Sequence, residues 1–336
     1  MLKRILRSIL PGLGVLLLIL DSRTAMKGAT DGIDLCIRSI IPSIFPFLVL
    51  SRMLTATLSG IRFGRFGRLL GIPAGCEGLF AVGLLGGYPT GAREVANAWK
   101  QGALDTDEAR RMIAYCNNAG PSFLFGILGG VFAEKWMLWL LWAIHIFSAC
   151  CIGMLLPKIK QSVAQRYIIS APSMTEALKD AVVTMGYICG WVIFFRMVIG
   201  FADRWILWSV PASLKVGIYG LLELANGCCS LSALTNDALR FVFCSGMLAF
   251  GGVCVTMQTA SVVGKLGLGI YLPAKMLQTC ISVILSLLCC LFLFPDSYTV
   301  QILPVITSGI IGLLTFWGVS RRKMKNRTSI PQAIHV

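Results

Sequence analysis

Long apolar runs, compatible with helices and separated by short charged segments, set the pattern of this chain. No stretch shows the period-two alternation of a membrane β-barrel. Residues 9–20 form a first apolar run behind Lys3, Arg4 and Arg7. Asp21-Ser22-Arg23 follows it where a small-x-small cleavage site would stand in a signal peptide, so a retained helix with a cytoplasmic N-terminus is expected. Residues 32–53 make a second helix. Pro42 and Pro46, four apart, should kink or split it. In residues 58–73, Arg62, Arg65 and Arg68 recur every third position, which fits either an interfacial segment on the cytoplasmic face or a plain basic loop.

The stretch 77–130 is apolar enough for a membrane yet is broken at Gly86-Gly87-Tyr88-Pro89-Thr90-Gly91 and again at Asn117-Asn118-Ala119-Gly120-Pro121. Non-helical backbone at membrane depth is tolerated only where protein buries it or a wet cavity receives it. Residues 76–99, halved by glycines, are expected to form a re-entrant hairpin, each arm too short to cross about 30 Å of hydrocarbon. Asp105 and Glu108 have capping-box spacing and start the next helix. That helix opens at Asn117 and resumes over 122–132. Residues 136–156 return, anchored by Trp136, Trp139 and Trp142, and residues 157–173 are a basic cytoplasmic linker.

The second half repeats the plan. Residues 174–200 end in FFRMVI, an echo of FLVLSRML. Residues 218–234 are short, apolar and expected to break around Asn226-Gly227. Residues 240–263 carry Cys244-Ser245-Gly246 and Gly251-Gly252, 271–294 close the repeat, and 302–319 make a last crossing. The resulting division is an anchor helix over 1–27, a first repeat over 28–156, the linker over 157–173, a second repeat over 174–294, and a last helix with a basic tail over 295–336. With both hairpins re-entrant there are about eight crossings, both termini are cytoplasmic, and the repeats are inverted, as in many secondary transporters. With both hairpins spanning, about ten helices leave the ends in the same place. The glycine breaks favour the hairpins. The expected fold is thus an all-α polytopic membrane protein with two inverted repeats.

Composition agrees. Of 336 residues, 56% are hydrophobic and 13% charged, and the mean hydropathy is +0.79. A soluble domain carries about 25% charged residues. The net charge of +15 falls mostly in short loops and tails, including Arg321, Arg322, Lys323, Lys325 and Arg327, where it sets topology beside anionic lipid and does not point to nucleic acid. The thirteen cysteines lie in apolar runs without paired CxxC spacing, and the two histidines, His145 and His335, cannot assemble a metal site. No cofactor, nucleophile–base pair or Walker motif is readable, so no enzymatic activity is expected.

The candidate ligand-binding residues are Gly86, Gly87, Thr90, Gly91, Asn117, Asn118, Gly120, Glu223 and Asn226. The 86–91 segment offers unwound backbone and a hydroxyl, or is simply a tight tip that needs glycine. Asn117 and Asn118 bring carboxamides that a ligand, a water cavity or the facing hairpin must satisfy. Glu223, an intramembrane carboxylate with Asn226 three residues on, suggests ion coupling or a polar ligand. Its structural alternative is an ion pair with Arg196 or Arg93. Glu77 is a weaker counterpart in the first repeat, Gln258 and Ser245 are further polar groups, and His145 reads as a core histidine.

GYPTGA, a short acidic loop and EARRMIAYCNNAGPSF resemble the sporulation integral membrane proteins of the YlbJ type, within the wider nucleoside-recognition or Gate domain group; GLLELANG supports this. The resemblance spans roughly residues 28–293. It implies a role in endospore formation and a transporter-like membrane core without a fixed substrate. The expected function is therefore that of a transporter or permease in the cell membrane, taking a small polar solute, nucleoside-like or ionic, at a midplane site. The other reading is a non-transporting assembly protein for the spore envelope or cortex, working with a membrane-protein partner or a second copy of itself.

Overall fold

The computed structural model describes residues 2–159 and 172–293, and among these there are helices, turns and loops but no strand. Five helical stretches are long and apolar enough to cross a membrane: Ser22–Ser59, Lys135–Leu155, Met174–Trp205, Asp237–Leu266 and Tyr271–Leu293. The chain is a multi-pass, all-α membrane protein. Of the other three expected crossings, residues 9–20 fall in α1 (Leu2–Leu20), whose apolar part Pro11–Leu20 is shorter than a span. The second is the broken helix of the first half, and the third, 302–319, lies outside the described residues, as do the basic tail and linker residues 160–171.

The two prolines do not split the second helix. α2 (Ser22–Leu35) continues through one π-turn, Cys36–Ile40, into α3 (Ile41–Ser59). Pro42 has no N–H to give and its ring crowds the carbonyl four residues back, and the widened turn just before it relieves both. α4 (Arg65–Leu70) is a short amphipathic turn, followed by α5 (Gly78–Gly86), α6 (Thr90–Lys100), α7 (Thr106–Cys116), α8 (Pro121–Ile127) and α9 (Lys135–Leu155). The Asp105–Glu108 capping box that starts α7 forms as expected. α5 and α6 pack as a hairpin of nine- and eleven-residue arms. At 1.5 Å per residue each reaches about half of a 30 Å core.

The second half follows with α10 (Met174–Trp205), α11 (Ala212–Leu222), α12 (Leu224–Ser230), α13 (Asp237–Phe250), α14 (Gly252–Val263) and α15 (Tyr271–Leu293). The order of elements matches α3 and α5–α9, and the packing between halves is reciprocal. α14 lies on α6 as α8 lies on α12, and α7 packs on α15 as α13 packs on α9. Each half therefore completes the core of the other, in the buried clusters around Tyr115 and Tyr271 and around Leu128 and Phe241.

Two devices hold the ends of this bundle. Gly28 and Gly32, a G-x-x-x-G pair on α2, bring the backbone of α10 so near that a Cβ at either would lie 2.8 Å from the Cα of Met197 or Ile193. Arg196 and Asp31 pair at 2.7 Å beside them. On α7, the buried Arg111 donates to the carbonyls of Leu70 and Gly71 (2.8 Å each), Pro157 (3.0 Å) and Gly153, tying the C-terminal ends of α4 and α9 to one guanidinium. A cation at two negative helix ends is electrostatically well placed.

Candidate functional site

The first hairpin turns at Gly87-Tyr88-Pro89, where Gly87 has φ 73° and Thr90 N–H bonds back to the Gly87 carbonyl at 2.8 Å. The glycines on either side have a steric cause. A Cβ at Gly83 or at Gly91 would run into the Cys116 carbonyl oxygen at the end of α7, and Gly87 and Gly120 meet backbone to backbone. Three main-chain segments therefore converge where α7 opens, an approach available only to residues without a side chain.

The opened segment, residues 117–120, is wholly buried and its amides are satisfied by protein. Asn117 Oδ1 accepts from Ala92 N–H (3.3 Å) in the first turn of α6, and its Nδ2 donates to Thr259 Oγ1 (2.9 Å) and Tyr271 OH (3.2 Å). Asn118 Nδ2 donates to the Tyr115 carbonyl (2.6 Å), and its Oδ1 accepts from Lys275 Nζ (3.2 Å) and Gln278 Nε2 (3.3 Å). Ala119 N–H donates to His145 Nε2 at 3.1 Å, so His145 is a core histidine. Of the sources expected to satisfy these carboxamides, the facing hairpin supplies one bond and α14 and α15 most of the others.

Lys275 is the residue that reading the sequence missed. It is completely buried on α15, donates to Gln278 Oε1 (2.8 Å) as well as Asn118, and lies over the rings of Tyr88 (5.3 Å) and Tyr271 (5.7 Å). No carboxylate lies within ion-pair distance of it among the described residues. A lone lysine three residues ahead of a glutamine in an otherwise apolar run was the available signal, since intramembrane ionisable groups mark function by default.

The second hairpin breaks at Glu223, and not around Asn226-Gly227 as expected. α11 ends at Leu222, Glu223 is extended (φ −148°, ψ 126°), and its carboxylate caps α12 by accepting from Ala225 N–H (3.0 Å), Asn226 N–H (2.7 Å) and Asn226 Nδ2 (2.7 Å). An acceptor at this position satisfies N–H groups that a new helix leaves open. Gly227 serves packing instead, since a Cβ there would strike the backbone of Gly220. The ion pair of Glu223 with Arg196 or Arg93 does not form: Arg196 pairs with Asp31, and Arg93 faces Thr184 and Glu94. Glu77 pairs with Arg62 at 3.2 Å and accepts from Gly75 N–H, away from the hairpin tips. The second broken helix opens at Gly251 and Gly252, both with positive φ (80° and 83°), and a Cβ at Gly252 would crowd the carbonyls of Gly220 and Leu222. Tyr88 joins the halves by donating to the Leu248 carbonyl at 3.2 Å.

Around these breaks lies a cavity of about 50 Å³, lined by Gly86, Gly87 and Tyr88 of the first tip, Gly120 of the first break, Glu223 of the second tip and Gln258 of α14. It unites four of the sequence-derived candidates. Thr90 lines a neighbouring cavity, while Gly91, Asn117, Asn118 and Asn226 do not line this one. Gln258 and Ile188 border both spaces. All thirteen cysteines are free thiols, and no cluster of metal-ligating side chains occurs among the described residues.

No protein-family model matches the chain, and no solved structure matches it. It is similar to the sporulation integral membrane protein YlbJ of Bacillus subtilis (strain 168), with 22% identity over 291 residues, covering 72% of this chain and 71% of that protein. The resemblance that GYPTGA and CNNAGP suggest is thus met by a likeness over 72% of the chain to a sporulation integral membrane protein of the YlbJ type.

Proposed function

We propose that this protein is a permease-like membrane protein acting in endospore formation, with two inverted repeats that enclose a small polar solute or ion at the bilayer midplane. The observation that carries the reading is the cavity shared by both hairpin tips and both broken helices. Broken segments from two repeats that meet at one cavity are how secondary transporters build a midplane site. The reciprocal packing of the halves supports the repeat relation, and the half-length arms of the first hairpin support its being re-entrant. Glu223 supplies the charge, Gln258 a carboxamide, and Gly86, Gly87 and Gly120 backbone groups at close range. In this conformation the space suits an ion or a very small solute. A nucleoside-sized ligand requires the hairpin tips to separate, which rocking of one repeat against the other would achieve. Both termini are assigned to the cytoplasm by the basic segments, the membrane is the cell membrane, and the protein acts without catalysis or a cofactor.

The test is an uptake and thermal-shift screen over nucleosides, metal ions and small acids, with Glu223→Gln and Gln258→Ala beside the wild type. A solute taken up by wild type and lost in both variants at normal membrane levels is expected; unchanged uptake in both overturns the site. The second reading, a non-transporting assembly protein, draws on the saturation of Asn117 and Asn118 by protein groups. Full rescue of sporulation by both variants in a deletion strain would favour it.

A further inference from the structure

A second, larger space lies beside the first hairpin. It measures about 250 Å³ and is bounded by α6, α10 and α14. The engineered cavity of ~150 Å³ that holds benzene is smaller, so this one has room for a single ring bearing a polar group. Its wall is largely apolar and aromatic, with Tyr187, Ile188 and Trp191 from α10 and Val262 from α14. Tyr187 and Val183 on its rim are exposed on the outer face of α10, so the space is reached from the side of the bundle.

One guanidinium faces this apolar space. Arg93 donates through Nη1 to Thr184 Oγ1 at 3.1 Å, lies 3.7 Å from Glu94, and has no partner for Nη2 among the described residues. Its neighbour Arg52 is the better paired cation, at 3.2 Å from the same Glu94 oxygen and 2.9 Å from Asp180. The Asp180 side chain is 44% exposed and so is screened, whereas that of Glu94 is 2% exposed. Arg52 thus takes the closer contacts to both carboxylates, and Arg93, 3.7 Å from Glu94, is the more loosely paired cation and the one at the cavity wall. A guanidinium with an open N–H edge matches a carboxylate or phosphate in a planar, two-point contact.

We infer that the cavity between α6, α10 and α14 is a binding site for a small organic anion, a carboxylate or phosphate group on an apolar body about one ring in size, with Arg93 holding the anion, Thr184 and Gln258 bordering it, and Tyr187 and Trp191 covering the body. This site does not depend on transport and is separate from the cavity at the hairpin tips, although Gln258 borders both.

The anion reaches Arg93 either as a soluble acid or as the head of a lipid in the bilayer, and the test distinguishes these. The purified full-length protein is placed in nanodiscs of phosphatidylcholine alone or with phosphatidylglycerol, and its thermal unfolding and calorimetric binding are followed with benzoate and with the neutral isostere benzamide. The expected result is stabilisation by benzoate and not by benzamide, with affinity falling about 10- to 100-fold in Arg93→Gln, the loss of a charge-assisted hydrogen bond. Arg93→Lys, which keeps the charge without the fork, should fall between the two and guards against misfolding of the glutamine variant. Stabilisation by phosphatidylglycerol in place of benzoate, again lost in Arg93→Gln, would assign the same chemistry to a lipid head. Equal responses to benzoate and benzamide, or anion binding that survives Arg93→Gln, or no response to either anion in the wild type, would overturn the proposal.

Discussion

The two halves share an order of elements but place their polar chemistry in opposite parts. In the first half the hairpin tip is glycine and proline, and the break in the helix carries the side chains, Asn117 and Asn118, each bound to several protein partners. In the second half the break is two glycines and the hairpin tip carries the carboxylate, Glu223. Both junctions pack backbone against backbone; the first is held besides by its amides, while the second keeps its charged group at the cavity wall. Two halves with a common order of elements can thus divide their tasks, one holding its break with amides and the other presenting an ionisable group.

This contrast can be broken most severely at the glycines. Gly83→Val should cost at least about 3 kcal/mol, because the added atoms meet the Cys116 carbonyl with nowhere to move. Gly251→Ala in the second half should cost only about 1–2 kcal/mol, the penalty of a left-handed backbone; expression and thermal melts in detergent compare them. Next in size, Asn118→Ala should lose about 3 kcal/mol by removing one of the two side-chain oxygens to which the buried Lys275 donates, and Lys275→Met added to it should restore at least about 1 kcal/mol, read from a double-mutant cycle on melts. If the two losses simply add, the amide does not serve the lysine. Glu223→Gln should cost about 1 kcal/mol, since an amide oxygen still caps α12 but without charge. A melt showing a loss as large as that of Asn118→Ala would mean the second tip is as locked as the first. Asp105→Ala, which removes the capping box of α7, should cost the least, about 0.5–1 kcal/mol, and helps calibrate the series.

Much of this was written locally in the chain. Asn117 to Pro121 announced an opened helix because carboxamides and proline both disfavour an uninterrupted apolar turn, whereas Gly251-Gly252 are located as a break only by their positive φ. Residues depending on distant partners were harder to read. Glu223 looked like a position within a helix because its capping role shows only when Leu222 and Leu224 belong to different helices. The protein partners of Asn117 and Asn118, among them Thr259, Tyr271 and Lys275, could not be read locally because they lie more than a hundred residues away. The π-turn before Pro42 follows from the proline, but a kink, a split and a wide turn answer the same steric problem, and local sequence does not choose among them.

The buried lysine has an electrical consequence. In its ammonium form, with no carboxylate beside it among the described residues, Lys275 is a fixed positive charge in the interior of a membrane bundle. A unit charge carried across a membrane gains or loses about 2.3 kcal/mol per 100 mV. If rocking of the repeats moved Lys275 through a third of that field, the voltage would bias the two conformations by about 0.8 kcal/mol, nearly fourfold in population, before any solute was bound. Energising the membrane would then set the resting position of the protein.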